Sequence, residues 1–139
     1  NFLNMSYKII DIEGVGEVHA ARLQAANINT TEDLLKVAGT KKGRIQLAET
    51  TGISEKLILT WTNHADLMRI KGIASQFSEL LEAAGVDTVK EFATRLPENL
   101  HKKLVEVNSL KGLSGSVPSK NALTDMIAQA KTLPQAVFH

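Results

Sequence analysis

Residues 12–35 read IEGVGEVHAARLQAANINTTEDLL, and residues 70–93 read IKGIASQFSELLEAAGVDTVKEFA. The two segments align without gaps at a spacing of 58 residues (Gly72 against Gly14). Ile12/Ile70, Gly14/Gly72, Leu23/Leu81, Ala25/Ala83, Ala26/Ala84 and Thr30/Thr88 are identical, and Val15/Ile73, Ile28/Val86, Asn29/Asp87 and Asp33/Glu91 are conservative pairs. Agreement of this extent in one register points to an internal duplication.

Each copy divides at helix start and stop signals. Gly14-Val15-Gly16 is a tight turn that opens a helix running to about Ala26, with Ala20 and Leu23 on one side. Asn27 and its counterpart Gly85 stand where a left-handed residue ends a helix. Thr30 before Asp33, and Thr88 before Glu91, give the S/T-x-x-D/E pattern that starts the next helix. In the first copy that helix runs through Leu34, Leu35 and Val37 to Gly39. A third helix is expected from Arg44 to Thr50, broken at Thr51-Gly52-Ile53. Ser54 then caps a fourth, with Leu57, Trp61 and Ala65 at helical spacing and Ile58 beside them.

In the second half, Pro97 starts a helix with Leu100, Leu104 and Val107 on one stripe. A Gly/Ser-rich stretch from Ser109 to Pro118 follows, and Ser119 caps a last helix carrying Leu123, Ile127 and Ala130. Pro134 to His139 reads as a frayed end. No stretch alternates with period two. The expected fold is therefore all-α, two tandem repeats of short helices with no sheet, dividing into residues 5–66 and 67–133.

Bulk composition bounds the function. With 139 residues the chain can bury a real core, although each half alone would be marginal. Aromatics make up only 4% of the chain, so the core must rest on Leu, Ile, Val and Ala. The absence of cysteine excludes disulfides, thiolate metal sites and a Cys nucleophile, and is compatible with a reducing cytoplasm. No apolar run is long enough to span a bilayer. No charged-then-apolar leader precedes Met5, so a secretory signal is not expected. Asn1 to Asn4 read as a cloning remnant outside the fold. A net charge of +1 is low for a strong non-specific binder of nucleic acid.

A Gly-Val-Gly turn at a helix start nonetheless suits a phosphate. The first N–H groups of a helix are unpaired, and the aligned peptide dipoles place roughly half a positive charge there. Gly14 and Gly16 lack a Cβ, so an anion can approach the backbone closely. Val15 between them points inward as an anchor. Contact made this way reads backbone and not bases.

Ile12-Glu-Gly-Val-Gly-Glu-Val-His-Ala20, with Leu23 and Ile28-Asn-Thr30, resembles the helix-hairpin-helix superfamily. Its members include DNA repair enzymes, the tandem-hairpin domain of the Holliday-junction branch-migration protein and the C-terminal domain of the RNA polymerase alpha subunit. From Met5 to Leu133 the chain is similar to a bacterial family of unknown function with a doubled arrangement of this kind. Thr51-Gly-Ile-Ser-Glu-Lys56, Ala65-Asp-Leu-Met-Arg-Ile-Lys-Gly72 and Pro97-Glu-Asn-Leu-His101 carry that closer match. The superfamily resemblance implies phosphate binding at Gly14, Val15 and Gly16, in some members with a monovalent cation on the turn carbonyls. The corresponding second turn is Lys71, Gly72, Ile73, Ala74 and Ser75. Ala74 replaces a glycine there, while Lys71 and Ser75 stand in for Glu13 and Glu17 and favour an anion.

Lys41, Lys42 and Arg44 form the densest basic cluster and read as a solvent-facing connector just before a helix, either a phosphate contact or a solvated loop. Lys102, Lys103, Lys111 and Lys120 read as solvated surface, and Trp61 as core. His19, His64, His101 and His139 show no metal spacing. No carboxylate stands in an apolar context that suggests a shifted pKa. A catalytic Lys or Asp after the turn, with a larger second domain, is what the repair glycosylases need; neither is evident. The expectation is a non-enzymatic, cytoplasmic module without cofactor, metal, membrane or small-molecule substrate. It either grips the DNA backbone or serves as an adaptor for a protein partner whose hairpins merely pack.

Overall fold

The computed structural model describes residues 6–139, so Met5 and the stretch read as a remnant lie outside the described residues. Among the described residues there are eight α-helices, one 3-10 turn at Ile9–Asp11 and no strand. The helices are α1 (Gly16–Ala25), α2 (Thr31–Ala38), α3 (Lys41–Thr51), α4 (Glu55–Leu67), α5 (Ser75–Ala83), α6 (Val89–Phe92), α7 (Pro97–Lys111) and α8 (Lys120–Ala130). Among the described residues a single antiparallel bridge, Lys8 to Thr30, ties the segment before the 3-10 turn to the cap of α2.

The caps follow from the sequence. Thr30 accepts the Asp33 amide while the Asp33 carboxylate takes the Thr30 amide, and Thr88 and Glu91 repeat the same reciprocal box. Asn27 ends α1 at φ 66°, and Gly85 ends α5 at φ 91°. At both sites the next amide folds back, Ile28 to the Leu23 carbonyl at 2.9 Å and Val86 to the Leu81 carbonyl at 2.8 Å. That is the six-to-one bond of a Schellman motif, with the buried pairs Ile28/Leu23 and Val86/Leu81 as its apolar clasp.

Two apolar cores result. The first gathers Ile9, Ile12, Val15, Leu23, Ile28, Leu34, Leu47, Ile58 and Trp61, and the second Ile70, Ile73, Phe77, Leu80, Leu81, Phe92, Leu104, Leu123 and Ile127. Helix α4 packs on α2 and α3, then reaches α5, and every residue from Trp61 to Ile70 is buried. Leu57 does not join the stripe expected of it. It lies 39% exposed, and Ile58 takes the inward position one residue later.

The chain end differs from the frayed tail expected of it. Val137 is buried, the Phe138 amide donates to the Gly39 carbonyl at 2.8 Å, and Arg69 reaches the Pro134 carbonyl at 2.8 Å. Main-chain hydrogen bonding to buried arginines has no periodic signature, so composition alone read this segment as loose.

Candidate nucleic-acid interface

The first glycine turn is open. Ile12 leaves the 3-10 turn extended, Gly14 follows at φ 87°, and the Val15 amide closes the loop on the Ile12 carbonyl at 3.2 Å. Val15 is buried, so its side chain anchors the turn and only its backbone is available outside. Gly16 adopts φ 71°, and a Cβ placed on Gly14 or Gly16 would meet nothing within 4 Å. These two positions need glycine for backbone angle, not for lack of room. Asp11, Glu13 and Glu17 line the shallow concavity in front of them, about 440 Å³ in volume. Three carboxylates thus frame the turn and oppose an anion.

The second turn is built differently. Gly72 has φ 97°, but Ala74 is extended at φ −109°, which is why a Cβ is tolerated where the first turn has a left-handed glycine. Ile73 is buried like Val15 and holds the turn from inside. Met126 of α8 sits over Gly72, and the Gln129 side chain accepts the Lys71 amide at 2.8 Å. Lys71, Gly72 and Ala74 are exposed. Across from Ala74 and Ser75 stand Ser114, Ser116 and Pro118 of the Gly/Ser-rich loop, enclosing a cleft of about 390 Å³. The sequence offered no sign that this loop would return to the turn, because only the packing of α7 on α8 brings it there.

The two turns are neighbours. The Glu13 amide donates to Ser75 Oγ at 2.7 Å, which sets the start of α5 against the entry of the first turn.

The basic cluster needs correction. Thr40 caps α3, so Lys41 and Lys42 are the first two residues of that helix and not a connector before it. Both are exposed, whereas Arg44 is 4% exposed and faces inward. Its guanidinium donates to the carbonyls of Ala38, Gly39 and Phe138 at 3.0, 3.1 and 2.8 Å. The end of α2 left carbonyls unpaired, and Arg44 and the tail satisfy them together.

The family described as Domain of unknown function (DUF4332) matches residues 13–133. The chain belongs to that family. No curated protein and no solved structure matches it. The DUF4332 match contains both glycine turns and all eight helices, and it ends just before the docked tail.

Two carboxylates in this DUF4332 chain depart from the sequence expectation. Asp66 is buried at the end of α4, where it takes the Arg69 guanidinium at 2.8 Å and the Val89 amide at 2.8 Å. Burial raises its pKa above the ordinary carboxylate value, with Arg69 and the Val89 amide pulling it back. Asp87 is also raised, by burial and then by Glu91 and Glu82. His64 is buried beside Glu82, Nε2 to Oε1 at 3.3 Å, and His19 tilts against Trp61 at the core. Lys102, Lys103, Lys111 and Lys120 are exposed, and Trp61 is core. No three His, Asp or Glu side chains converge as a metal site among the described residues, and no described helix is long and apolar enough to cross a membrane.

Proposed function

We propose that this chain is a tandem helix-hairpin-helix module that binds nucleic-acid backbone without reading sequence. The observation that carries the proposal is the bond from Glu13 to Ser75, since it holds two glycine turns and the starts of α1 and α5 side by side. Neither α1 nor α5 has a side-chain cap, so first-turn N–H groups at both remain available to phosphate oxygens. Of the two, the second turn is the better anion site. Exposed Lys71 stands next to Gly72 in the turn and supplies a positive charge, and Ser75, Gln76, Ser114 and Ser116 give the cleft polar groups beside Ala74, Phe77 and Pro118. The proposal divides the chain at residues 66 and 67, with one apolar core for each repeat apart from Met68, which packs into the first, and takes the setting to be the cytoplasm.

Labelled duplex, single-stranded and branched DNA, titrated against salt, test the reading. Binding should be weak and indifferent to sequence; contact with two or three phosphates at the two turns would give a log–log salt slope of about −2 to −3 on duplex and a shallower one on single strands. Lys71→Glu should weaken binding to all three DNAs alike and flatten the slope by about one. A second reading, an adaptor for a basic protein surface, draws on Asp11, Glu13 and Glu17 around the open first turn. Absence of binding to every DNA at low salt leaves that second reading standing.

A further inference from the structure

A cleft between the starts of α3 and α4 brings the side chains of two lysines and an arginine together with that of one glutamate. Lys41, Arg44, Glu55, Lys56, Leu59 and His139 line it, and its volume is about 370 Å³. That volume falls in the range of small-ligand sites, roughly 300–1,000 Å³. Arg44 forms the buried part of the wall. Its three hydrogen bonds go to neutral carbonyls, which leaves two of the five guanidinium donors without a protein acceptor among the described residues. No carboxylate lies within ion-pair distance of Arg44 among the described residues, and Glu55 acts on it only from further away.

The two lysines add to the imbalance. Lys41 is the first residue of α3 and Lys56 the second of α4, where the peptide dipoles already contribute roughly half a positive charge per helix. Helix starts favour Asp or Glu, so these side chains have the wrong sign for their own helices. Against them stand Glu55 and the partial negative end of α2, to which Arg44 is bonded. The balance favours an anion, with Arg44 offering directional donors and the lysines offering mobile point charges.

We propose that this cleft is a binding site for a phosphate-class anion, either a free phosphate or phosphate monoester or a phosphate of a nucleic-acid strand. It shares no residue with the glycine turns and does not depend on the reading given to them.

The test uses the full chain, wild type and Lys41→Gln/Lys56→Gln, titrated with inorganic phosphate against chloride at matched ionic strength. Melting temperature and the Arg44 side-chain NMR resonances are followed. The wild type should show a saturable rise in melting temperature and saturable shifts at Arg44. The double variant should lose at least tenfold in phosphate affinity. In phosphate-free buffer it should melt no lower than the wild type, and by up to about 2 °C higher, because an unbalanced positive cluster has been relieved. A purely structural role for these lysines predicts the opposite sign in phosphate-free buffer. A response that chloride reproduces, or saturable binding unchanged in the double variant, overturns the proposal. Duplex DNA titrated against the same pair separates the sources. A parallel loss of DNA affinity assigns the phosphate to a nucleic-acid strand, and DNA affinity unchanged alongside lost phosphate binding assigns it to a free ligand.

Discussion

The amide of Glu13 donates to the hydroxyl of Ser75 over 2.7 Å, from one glycine turn to the start of the helix that follows the other. The equivalent amide of the second turn, Lys71, is taken by Gln129 at 2.8 Å. Each turn therefore spends the amide just before its glycine on a side chain further along the chain. What remains for a ligand is the backbone from the glycine onward, with Gly14 and Gly16 open and Gly72 exposed beside the Met126 methyl.

Ser75→Ala removes the acceptor without changing the helix. The loss should be at the low end of the 0.5–1.5 kcal/mol that a hydrogen bond of this kind contributes, about 0.5 kcal/mol, because solvent can reach the freed amide. Hydrogen exchange at Glu13 should accelerate while exchange at Val15 stays slow. Unchanged exchange at Glu13 would show that the two turns are not braced against each other in solution.

Asp87 carries a pH dependence with a definite sign. Burial, Glu91 and Glu82 raise its pKa in the folded state. Its contribution is thus fully present below the ordinary carboxylate pKa and is lost as pH rises through the raised value. The first copy has Asn29 at this place, with its amide on the Asp33 carboxylate just as the Asp87 amide is on Glu91. Asp87→Asn should therefore melt slightly higher than the wild type near neutral pH. It should also remove one decline in stability between the acid range and neutrality. Equal melting profiles for the two proteins across that window would contradict the assignment.

Local features were legible in the sequence because their causes are local. The reciprocal caps at Thr30 and Thr88, the left-handed ends at Asn27 and Gly85, and the inward Val15 and Ile73 each depend on residues within one turn of the chain. The buried Arg44, the Asp66–Arg69 pair, and the docking of Val137 depend on partners far away in sequence, Phe138, Val89 and Pro134 among them. Such contacts leave no periodicity. At the candidate interface, Lys71, Gly72 and Ser75 stood out, whereas Ser114, Ser116 and Lys56 entered only through packing. Of the Lys41, Lys42 and Arg44 cluster, all read as surface, the two lysines are exposed; Arg44 lies on the buried side of α3 with Leu47, which a helix read as starting only at Arg44 did not show.

Asp66 and Arg69 form a buried pair, each 3% exposed or less, with the second carboxylate oxygen on the Val89 amide and the guanidinium donating also to the Pro134 carbonyl. Arg69→Met leaves a buried carboxylate with one hydrogen bond, and should cost about 3–5 kcal/mol. Asp66→Leu/Arg69→Met removes both charges and should recover much of that loss. The recovery stays partial because the Val89 amide and the Pro134 carbonyl lose their partners. A double variant as unstable as Arg69→Met alone would show that the charges are not coupled to each other. Chemical denaturation of the three proteins gives the comparison.

Gly39 reports on the tail. Its backbone lies in the right-handed helical region at φ −64°, so alanine would fit the angles without strain. A Cβ there would instead overlap the carbonyl oxygens of Ala136 and Leu35, both main-chain atoms that cannot rotate away. Gly39→Ala must therefore push the tail off the end of α2 or distort that end, at about 1–3 kcal/mol, the usual cost of overpacking. Displacement of the tail breaks the bonds from the Phe138 amide to Gly39 and from Arg44 to the Phe138 carbonyl. Exchange at the Phe138 amide should then become fast, and protease should cut between Pro134 and Phe138 sooner than in the wild type. Gly115→Ala serves as the control, since a Cβ there meets nothing within 4 Å and its φ is not left-handed. It should be neutral or slightly stabilising. If Gly39→Ala melts like Gly115→Ala and the Phe138 amide already exchanges fast in the wild type, the tail is not seated on Gly39 in solution, and the wall that Arg44 and His139 give to the neighbouring cleft goes with it.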